Sequence, residues 1–207
     1  MSADARRLVL LRHGRTAWNA ERRIQGQLDP ELDDTGHAQA AAVAPLLTAL
    51  GPALLWSSDS ARARQTAAYL AKESGLEPAY DARLREYYLA DWQGLGHAEL
   101  VEREPELFAR FRTGDFDVVP GGENAVDVAA RMVAVLGELL DALAPGELGV
   151  AVSHGAAIRD VIPTLLGWPV AERAALHSLD NCGWVELEQP APGAPLRLRA
   201  YNRVAPL

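Results

Sequence analysis

Cysteine, lysine and long apolar runs are nearly absent from this sequence. Cys182 is the only cysteine among 207 residues, which excludes an internal disulfide and a cysteine-rich zinc cluster and favours a reducing compartment. No stretch reaches the roughly 18 uncharged apolar residues that a membrane span requires. Met1–Leu11 contains arginines where a signal peptide is apolar. We therefore expect a cytoplasmic protein with no membrane partner.

Acidic side chains outnumber basic ones, which gives a formal net charge of −8 and a pI near 5.1. Such a charge repels polyanions, so nucleic acid is not an expected partner. Lys72 is the only lysine, and an anionic ligand must therefore be held by well-placed arginines. The length, with 49% hydrophobic residues, suits one α/β domain. We expect residues 1–207 to form a single domain.

Short apolar runs alternate with longer helical patterns along the chain. The predicted strands are Arg7–Leu11, Leu54–Ser57, Glu77–Tyr80, Leu148–Val152, Trp184–Glu188 and Leu196–Tyr201, the last two as edge strands. The predicted helices cover residues 34–50, 59–75, 124–143 and 156–166. This order predicts an α/β three-layer sandwich, with a largely parallel central sheet and helices on both faces.

Two helix boundaries and one insertion complete the predicted organisation. Pro45 should kink or end the first long helix, and Asp59 should cap the second one. Residues from about 87 to 121 mix short helical patterns with Gly and Pro breaks. Such a segment is typical of a lid-like insertion over a binding site.

Polar residues follow three of the predicted strands at their carboxyl ends. Arg12 and His13 follow the first strand, Arg62 comes after the second, and His154 follows Leu148–Val152. Ligands of parallel sheets bind beyond these ends, so we expect the side chains to converge. Guanidinium forks match phosphoryl oxygens, and a neutral imidazole can attack phosphorus. The pattern predicts phosphoryl transfer.

A helix that starts directly after His154 should add to this anion site. The backbone N–H groups of Gly155 and Ala156 are at its predicted N-terminus, where the helix dipole favours negative charge. We therefore expect both residues to contact the phosphate.

The segment Arg12–Asn19 resembles the signature of the histidine phosphatase superfamily, also called the phosphoglycerate mutase-like family. Gln25-Gly26, Ser58–Thr66 and Ser153–Gly155 resemble its later motifs in the same order, so the resemblance covers most of the chain. Residues 84–94 and 120–131 are similar to the phosphatase branch, and within it to actinobacterial members.

This resemblance implies a role for each matching residue. His13 is the implied nucleophile, which carries the phosphoryl group as a phosphohistidine. Arg12, Arg62 and His154 are implied to bind the phosphoryl oxygens, and Glu86 to be the general acid and base. The remaining implied or expected substrate contacts are Thr16, Asn19, Gln25, Gly26 and Arg23.

Two residues depart from the family pattern. Arg15 stands where relatives often have Glu or Gln, and Ser60 replaces a common apolar residue before Arg62. Neither change removes an implied catalytic group.

Other phosphate and nucleotide chemistries do not fit the sequence. Lys72 lies between Ala71 and Glu73, so there is no Gly-Lys-Ser/Thr P-loop. Cys182 lacks the nearby arginine of cysteine-dependent phosphatases. Gly94-Leu95-Gly96 begins a dinucleotide-binding pattern that ends at Glu99, which leaves a Rossmann oxidoreductase as a weak alternative.

The predicted function is hydrolysis of a phosphomonoester of a small phosphorylated metabolite, without a metal or another cofactor. No two histidines have the spacing of a helical metal pair. Two alternatives stay open: a phosphoglycerate mutase, and a phosphate-binding regulatory protein without turnover. Glu86 is followed by Tyr87-Tyr88 instead of the Tyr-Gly of similar mutases, and the insertion is short, which favours the phosphatase. A homodimer is one option for the assembly state.

Overall fold

A computed structural model describes residues 4–206, so the first three residues and Leu207 of the predicted domain lie outside the described residues. Six strands and seven α-helices are present in this range. The strands are β1 Arg6–Arg12, β2 Leu54–Ser57, β3 Ala79–Tyr80, β4 Leu148–Ser153, β5 Trp184–Gln189 and β6 Arg197–Arg203. The helices are α1 Ala17–Ala20, α2 Asp34–Thr48, α3 Ala61–Ser74, α4 His97–Arg103, α5 Pro105–Arg112, α6 Ala125–Ala142 and α7 Gly155–Leu166.

All six strands belong to one sheet in the order β3-β2-β4-β1-β5-β6. The first four of these are parallel, while β5 is antiparallel to β1 and β6 is antiparallel to β5. This arrangement confirms the predicted, largely parallel sheet. The expectation that β5 is an edge strand is wrong, because it pairs with β1 on one side and with β6 on the other.

Side-chain alternation along β1 supplies both faces of the sheet with core residues. Leu8 and Leu10 pack into the cluster that includes α6 and α7, whereas Val9 and Leu11 pack into the cluster that includes α2 and α3. All four side chains are fully buried. The sheet is thus covered by helices on both faces, as predicted. None of the helices in residues 4–206 has both the length and the apolar character of a membrane-spanning segment.

The ends of α2 and α3 differ from the expected pattern. Pro45 lies within α2, and the helix continues to Thr48, although the proline has no N–H to donate to the carbonyl four residues before it. The N-cap of α3 is Ser60 and not the expected Asp59. The Asp59 carboxylate is instead held by Arg85 at 2.7 and 2.5 Å.

The segment from about 87 to 121 contains α4, α5 and two 3-10 turns. Its aromatic side chains pack on one another: the rings of Phe108 and Phe111 are stacked at 5.9 Å, and Phe116 contacts Phe111 edge-on at 4.8 Å. Trp92 joins this cluster through Phe111. These aromatic side chains join the segment to the hydrophobic core that includes Leu8 and Leu10 of β1.

Two glycines bring the loop after β1 into direct contact with α2. A Cβ on Gly36 would lie 2.0 Å from the carbonyl oxygen of Arg15, and a Cβ on Gly14 would lie 2.6 Å from that of Gly36. Backbone packs on backbone here, so no side chain can move away to make room. The loop that carries His13 depends on this contact for its position.

We expect Gly36→Ala to lower the free energy of unfolding by about 1–3 kcal/mol, the usual cost of overpacking. A Gly→Ala change inside a helix normally raises the free energy of unfolding by roughly 0.5–1 kcal/mol. A decrease in this free energy would therefore point to the backbone contact and not to helix propensity. Gly137→Ala in α6 is the matched control, since nothing lies within 4 Å of the position that its added methyl group would take. Denaturant titration of both variants measures the effect, and a stabilised Gly36→Ala would contradict the proposed contact.

Candidate active site

The carboxyl ends of β1, β2 and β4 bring the sequence-predicted residues together. β1 and β4 pair in register from Arg7 with Leu148 to Arg12 with Ser153, so His13 and His154 leave the sheet side by side. Their ring centroids are 5.2 Å apart. A cavity of about 290 Å³ opens at this edge. The predicted residues that line it are Arg12, His13, Asn19, Arg23, Gln25, Gly26, Arg62, Glu86, Gly155 and Ala156.

His13 is held in a single orientation by the backbone. Its Nδ1 lies 2.7 Å from the carbonyl oxygen of Gly14, and because a carbonyl only accepts, Nδ1 carries the ring proton. The lone pair is therefore on Nε2. Burial, followed by the charges of Arg62 and Arg12, holds the pKa of His13 well below its ordinary value. The ring is neutral at neutral pH and has a free nitrogen lone pair.

Arg62 and Arg12 both line the cavity, and some of their N–H groups already donate to backbone carbonyls. Arg62 donates from Nη1 to the Leu28 carbonyl and from Nη2 to the Gly26 carbonyl, each at 2.8 Å. Arg12 donates from Nη1 to the Leu179 carbonyl. Burial lowers the pKa of Arg12, and it lowers that of Arg62 to about 10, so both stay charged at neutral pH.

Among the buried donors that lack a hydrogen-bond partner in the described part of the chain, three belong to predicted site residues: Arg12 Nε, Arg62 Nε and His154 Nδ1. Leaving a buried polar group unpaired costs about 1–3 kcal/mol. All three come from residues at the same edge of the sheet: Arg12 and Arg62 line the cavity, while His154 is fully buried beside His13 and is not part of the lining. An anion in the cavity would give the two guanidinium groups the partner that they lack. The donor set therefore fits a phosphoryl group.

Glu86 is bound at the N-terminus of α7. Its carboxylate accepts hydrogen bonds from the N–H groups of Ala156 at 3.1 Å, Ala157 at 2.9 Å and Tyr87 at 3.0 Å. The Ala156 N–H was expected to contact phosphate, but here it donates to Glu86. The carboxylate takes this place because the unpaired N–H groups and the dipole of a helix start attract any nearby negative charge.

Arg131 and Glu123 position the backbone around Glu86. The guanidinium of Arg131 donates to the carbonyls of Arg83, Arg85 and Glu86 at 2.8, 2.6 and 3.0 Å. Its Nε donates to Glu123 at 3.0 Å. Sequence reasoning missed this pair, although both residues lie in the segment 120–131 that resembles the phosphatase branch.

Glu123 also joins the two ends of the insertion. Its carboxylate accepts the Tyr88 N–H at 2.8 Å, while its own N–H donates to the Tyr88 carbonyl at 2.8 Å. The chain that leaves at Tyr88 and the chain that returns at Glu123 are thus bonded directly to each other.

Thr16 has a different role from the one expected. It is fully buried and does not line the cavity. Its side chain caps α1 and forms a reciprocal capping box with Asn19. The Asn19 Oδ1 accepts from Thr16 and, at 3.3 Å, from Asn181. The expected substrate contact of Thr16 stays a prediction, and what the structure shows is that the residue orients Asn19, whose amide nitrogen has no partner in residues 4–206.

The loop after α1 forms one side of the cavity. Gly26 has φ +53°, a conformation that favours glycine, and its carbonyl accepts from Arg62. Gln25 has a buried Oε1 without a partner in the described chain. Arg23 is exposed and donates to the Gly94 carbonyl at 2.7 Å. Arg15, the departure from the family pattern, pairs with Asp33 at 2.8 Å and points away from this site.

Several cavity residues were not predicted from the sequence: Ile24, Leu89, His97, Phe111, Phe116, Arg159 and Ser178. Most of them lie in the insertion, whose tertiary position no local pattern reveals. Arg159 is an exception, because it lies four residues after Gly155 on α7 and so on the same helix face. That spacing was a usable signal.

Comparison with known proteins decides the family. Residues 8–202 match the family model described as the histidine phosphatase superfamily, branch 1. The chain belongs to this superfamily. Glucosyl-3-phosphoglycerate phosphatase of Mycobacterium tuberculosis (strain CDC 1551 / Oshkosh) is 42% identical over 214 residues, which cover 97% of this chain and 96% of that protein. The probable phosphoglycerate mutase GpmB of Cronobacter sakazakii is 38% identical and covers 84% of this chain and 81% of that protein.

A solved structure of a glucosyl-3-phosphoglycerate phosphatase also supports the assignment to the histidine phosphatases. Mycobacterial glucosyl-3-phosphoglycerate phosphatase in complex with VO3 superposes with a TM-score of 0.88 at 40% identity and covers 95% of this chain and 98% of that one. The predicted resemblance, the α/β fold and the activity of a phosphomonoesterase are thereby confirmed. A small phosphorylated metabolite as partner is consistent with these relatives.

We expect Arg131→Lys to lower the free energy of unfolding by about 1–3 kcal/mol, because an ammonium cannot replace a guanidinium that bonds three carbonyls and a carboxylate. Arg110→Lys is the matched control: Arg110 pairs with Asp115 on the surface, so the change should stay within about 0.5 kcal/mol. Chemical denaturation of both variants measures this, and equal losses would show that the Arg131 contacts add nothing.

Proposed function

We propose that this histidine phosphatase hydrolyses a phosphomonoester through a phosphohistidine on His13. The observation that carries the proposal is the state of the His13 ring: Nδ1–H is tied to the Gly14 carbonyl, and Nε2 keeps its lone pair between two charged arginines. A nucleophile at phosphorus needs this combination of an available lone pair and nearby positive charge.

In the first step, Nε2 of His13 attacks phosphorus and the bond from phosphorus to the ester oxygen breaks. The unpaired donors of Arg12, Arg62 and His154 bind the equatorial oxygens, where negative charge is concentrated. The Nδ1–H bond to Gly14 supports the positive charge that develops on the ring. Asn19 and Gln25 border the phosphoryl position.

Glu86 transfers protons in both steps. The first step starts with the Glu86 carboxyl protonated and placed beside the phosphate cavity by its contacts at the α7 N-terminus. The protonated group then donates to the leaving oxygen. In the second step Glu86 accepts a proton from water, the water oxygen attacks phosphorus, and the bond to His13 breaks to release inorganic phosphate.

The proposed substrate is glucosyl-3-phosphoglycerate, which combines a phosphate, a carboxylate and a sugar. Its support is the 42% identity to a phosphatase named for this compound, and the shape of the site. A second cavity of about 640 Å³ shares His97 with the phosphate cavity. Arg22 and Arg112 line it, and their guanidinium groups have no ion pair in residues 4–206. The carboxylate would be attracted to these charges, and the sugar would extend into this space.

The proposed reaction needs no metal, no further cofactor and no second subunit. Arginines and imidazoles supply the positive charge and the donors, so the proposed mechanism uses no metal and no other cofactor. All proposed catalytic groups come from one chain, in one domain with the insertion as a lid, and a homodimer is not needed for the chemistry. A cytoplasmic location, with no nucleic-acid partner, agrees with the single cysteine and the acidic charge.

The first test of the mechanism uses glucosyl-3-phosphoglycerate in the presence of EDTA. We expect steady release of phosphate and, after rapid quenching without acid, a phosphoryl group mapped to His13 by mass spectrometry. His13→Ala should lose roughly 10⁴-fold or more in kcat/KM, as expected for loss of a nucleophile. His37→Ala is the matched control, since His37 contacts Tyr69 outside the cavity.

Three results would reject parts of this proposal. Label on another residue would remove His13 as nucleophile, and activity that EDTA abolishes and a metal restores would refute the metal-free site. With 3-phosphoglycerate and catalytic 2,3-bisphosphoglycerate, formation of 2-phosphoglycerate that is much faster than phosphate release from any ester would favour a mutase.

Glu86→Gln should slow alkyl phosphate esters by roughly 10²-fold or more and aryl esters much less, because only poor leaving groups need a proton. The amide that replaces the carboxylate also places an NH2 group opposite the N–H of Ala156 or Ala157, where two donors oppose each other. The resulting change in structure should slow both ester types equally. The ratio between the two ester types is therefore the measurement. Glu99→Gln, at an exposed ion pair with Arg103, is the control and should leave the ratio unchanged.

A further inference from the structure

Ser58, Ser60 and His154 form a closed triangle of hydrogen bonds beneath the phosphate cavity. The Nε2 of His154 lies 3.0 Å from the Ser58 hydroxyl and 3.2 Å from the Ser60 hydroxyl, and the two hydroxyls are 3.1 Å apart. Ser58 and His154 are fully buried and Ser60 is 7% exposed. The triangle is therefore shielded from water.

Counting protons in this triangle decides which ring nitrogen of His154 is protonated. If Nε2 is the acceptor, one hydroxyl donates to Nε2 and the second donates to the first, so every donor is paired. If Nε2 carries the proton, the triangle contains three donors: the Nε2–H group and the two hydroxyl groups. The Nε2–H group then donates to one serine oxygen, and one hydroxyl donates to the other. The remaining hydroxyl has no acceptor within the triangle. The hydroxyls have no other acceptor among residues 4–206, and a buried unpaired donor is costly.

The opposite ring nitrogen has an environment that suits a donor. Nδ1 of His154 is buried and has no partner in the described chain, like Nε of Arg12 and of Arg62. Burial and the charge of Arg62 hold the pKa of His154 well below its ordinary value, so the ring carries only one proton. That single proton is on Nδ1 when the serines donate to Nε2.

We propose that Ser58 and Ser60 are positioning residues that fix His154 as its Nδ1–H tautomer, so that a neutral imidazole donates a hydrogen bond to the bound phosphoryl group. The inference rests on the proposed phosphate site but adds a proton assignment to it. It also gives a role to Ser60, which departs from the apolar residue common in the family. The two histidines then have the same tautomer and opposite tasks: His13 offers a lone pair to phosphorus, and His154 offers a proton to oxygen.

The tautomer is measured directly by two-bond 1H–15N correlation spectra of the histidine rings in ligand-free, 15N-labelled protein. His154→Asn identifies the His154 signals by their loss. We expect a neutral ring with protonated Nδ1 in the wild type. A neutral ring with protonated Nε2, or a doubly protonated ring, would overturn the proposal, and neither outcome depends on whether the enzyme turns over a substrate.

Inorganic phosphate is the probe for the donor role. Saturating phosphate should shift the Nδ1 signal of His154, and unchanged signals at saturation would overturn this role. The failure of His13 as nucleophile is a separate outcome, because it appears only in the trapping experiment with substrate.

Variants test whether the serines set the tautomer. In Ser58→Ala/Ser60→Ala the signals should change to protonated Nε2 or to a mixture, and the Kd for phosphate should rise about tenfold or more, as expected for a lost hydrogen bond to a charged group. Ser57→Ala is the matched control: Ser57 is equally buried and donates to the Ser58 carbonyl at 2.8 Å, but it does not contact His154. A double variant that keeps protonated Nδ1, or a control with the same change, would overturn the role of the serines. If the double variant does not fold, the single variants carry the same comparison.

Discussion

The site depends on keeping two guanidinium charges beside two imidazoles that are buried at the floor of a cavity. Burial and the neighbouring arginines both lower the pKa of His13 and of His154, so neither ring competes with the arginines for an anion by becoming charged. Backbone carbonyls from Gly26, Leu28 and Leu179 hold the arginines in place without neutralising them. The same positive field that attracts an ester phosphate thus preserves the lone pair that attacks it.

The hydrogen-bond partners of each polar group explain how the groups differ in their tasks. A carbonyl acceptor at Gly14 determines the protonated nitrogen of His13, and two hydroxyls do the same for His154. The N-terminal N–H groups of α7 bind the Glu86 carboxylate, and the Arg131 guanidinium binds the backbone carbonyl of Glu86. Side chains with the same chemistry therefore act differently because different atoms are left free.

The sequence allowed most of the sheet, its parallel character and the convergence of Arg12, His13, Arg62 and His154 to be predicted, since strand ends and motif order are local properties. The errors have tertiary causes. Asp59 has a capping residue type but pairs with Arg85, and β5 lies between two strands. His97 and Phe111 reach the cavity only through the packing of the insertion, which no short pattern encodes.

The contact that closes the insertion at Tyr88 and Glu123 separates two parts of the molecule. Glu86 is anchored before this closure by Arg131 and α7, whereas the cavity-lining residues Leu89, His97, Phe111 and Phe116 come after it. Substitutions at these four positions would therefore change the lining of the cavity without touching the contacts that hold Glu86. Along the chain, one pair of backbone and side-chain hydrogen bonds thus divides the support of Glu86 from the insertion's share of the cavity wall.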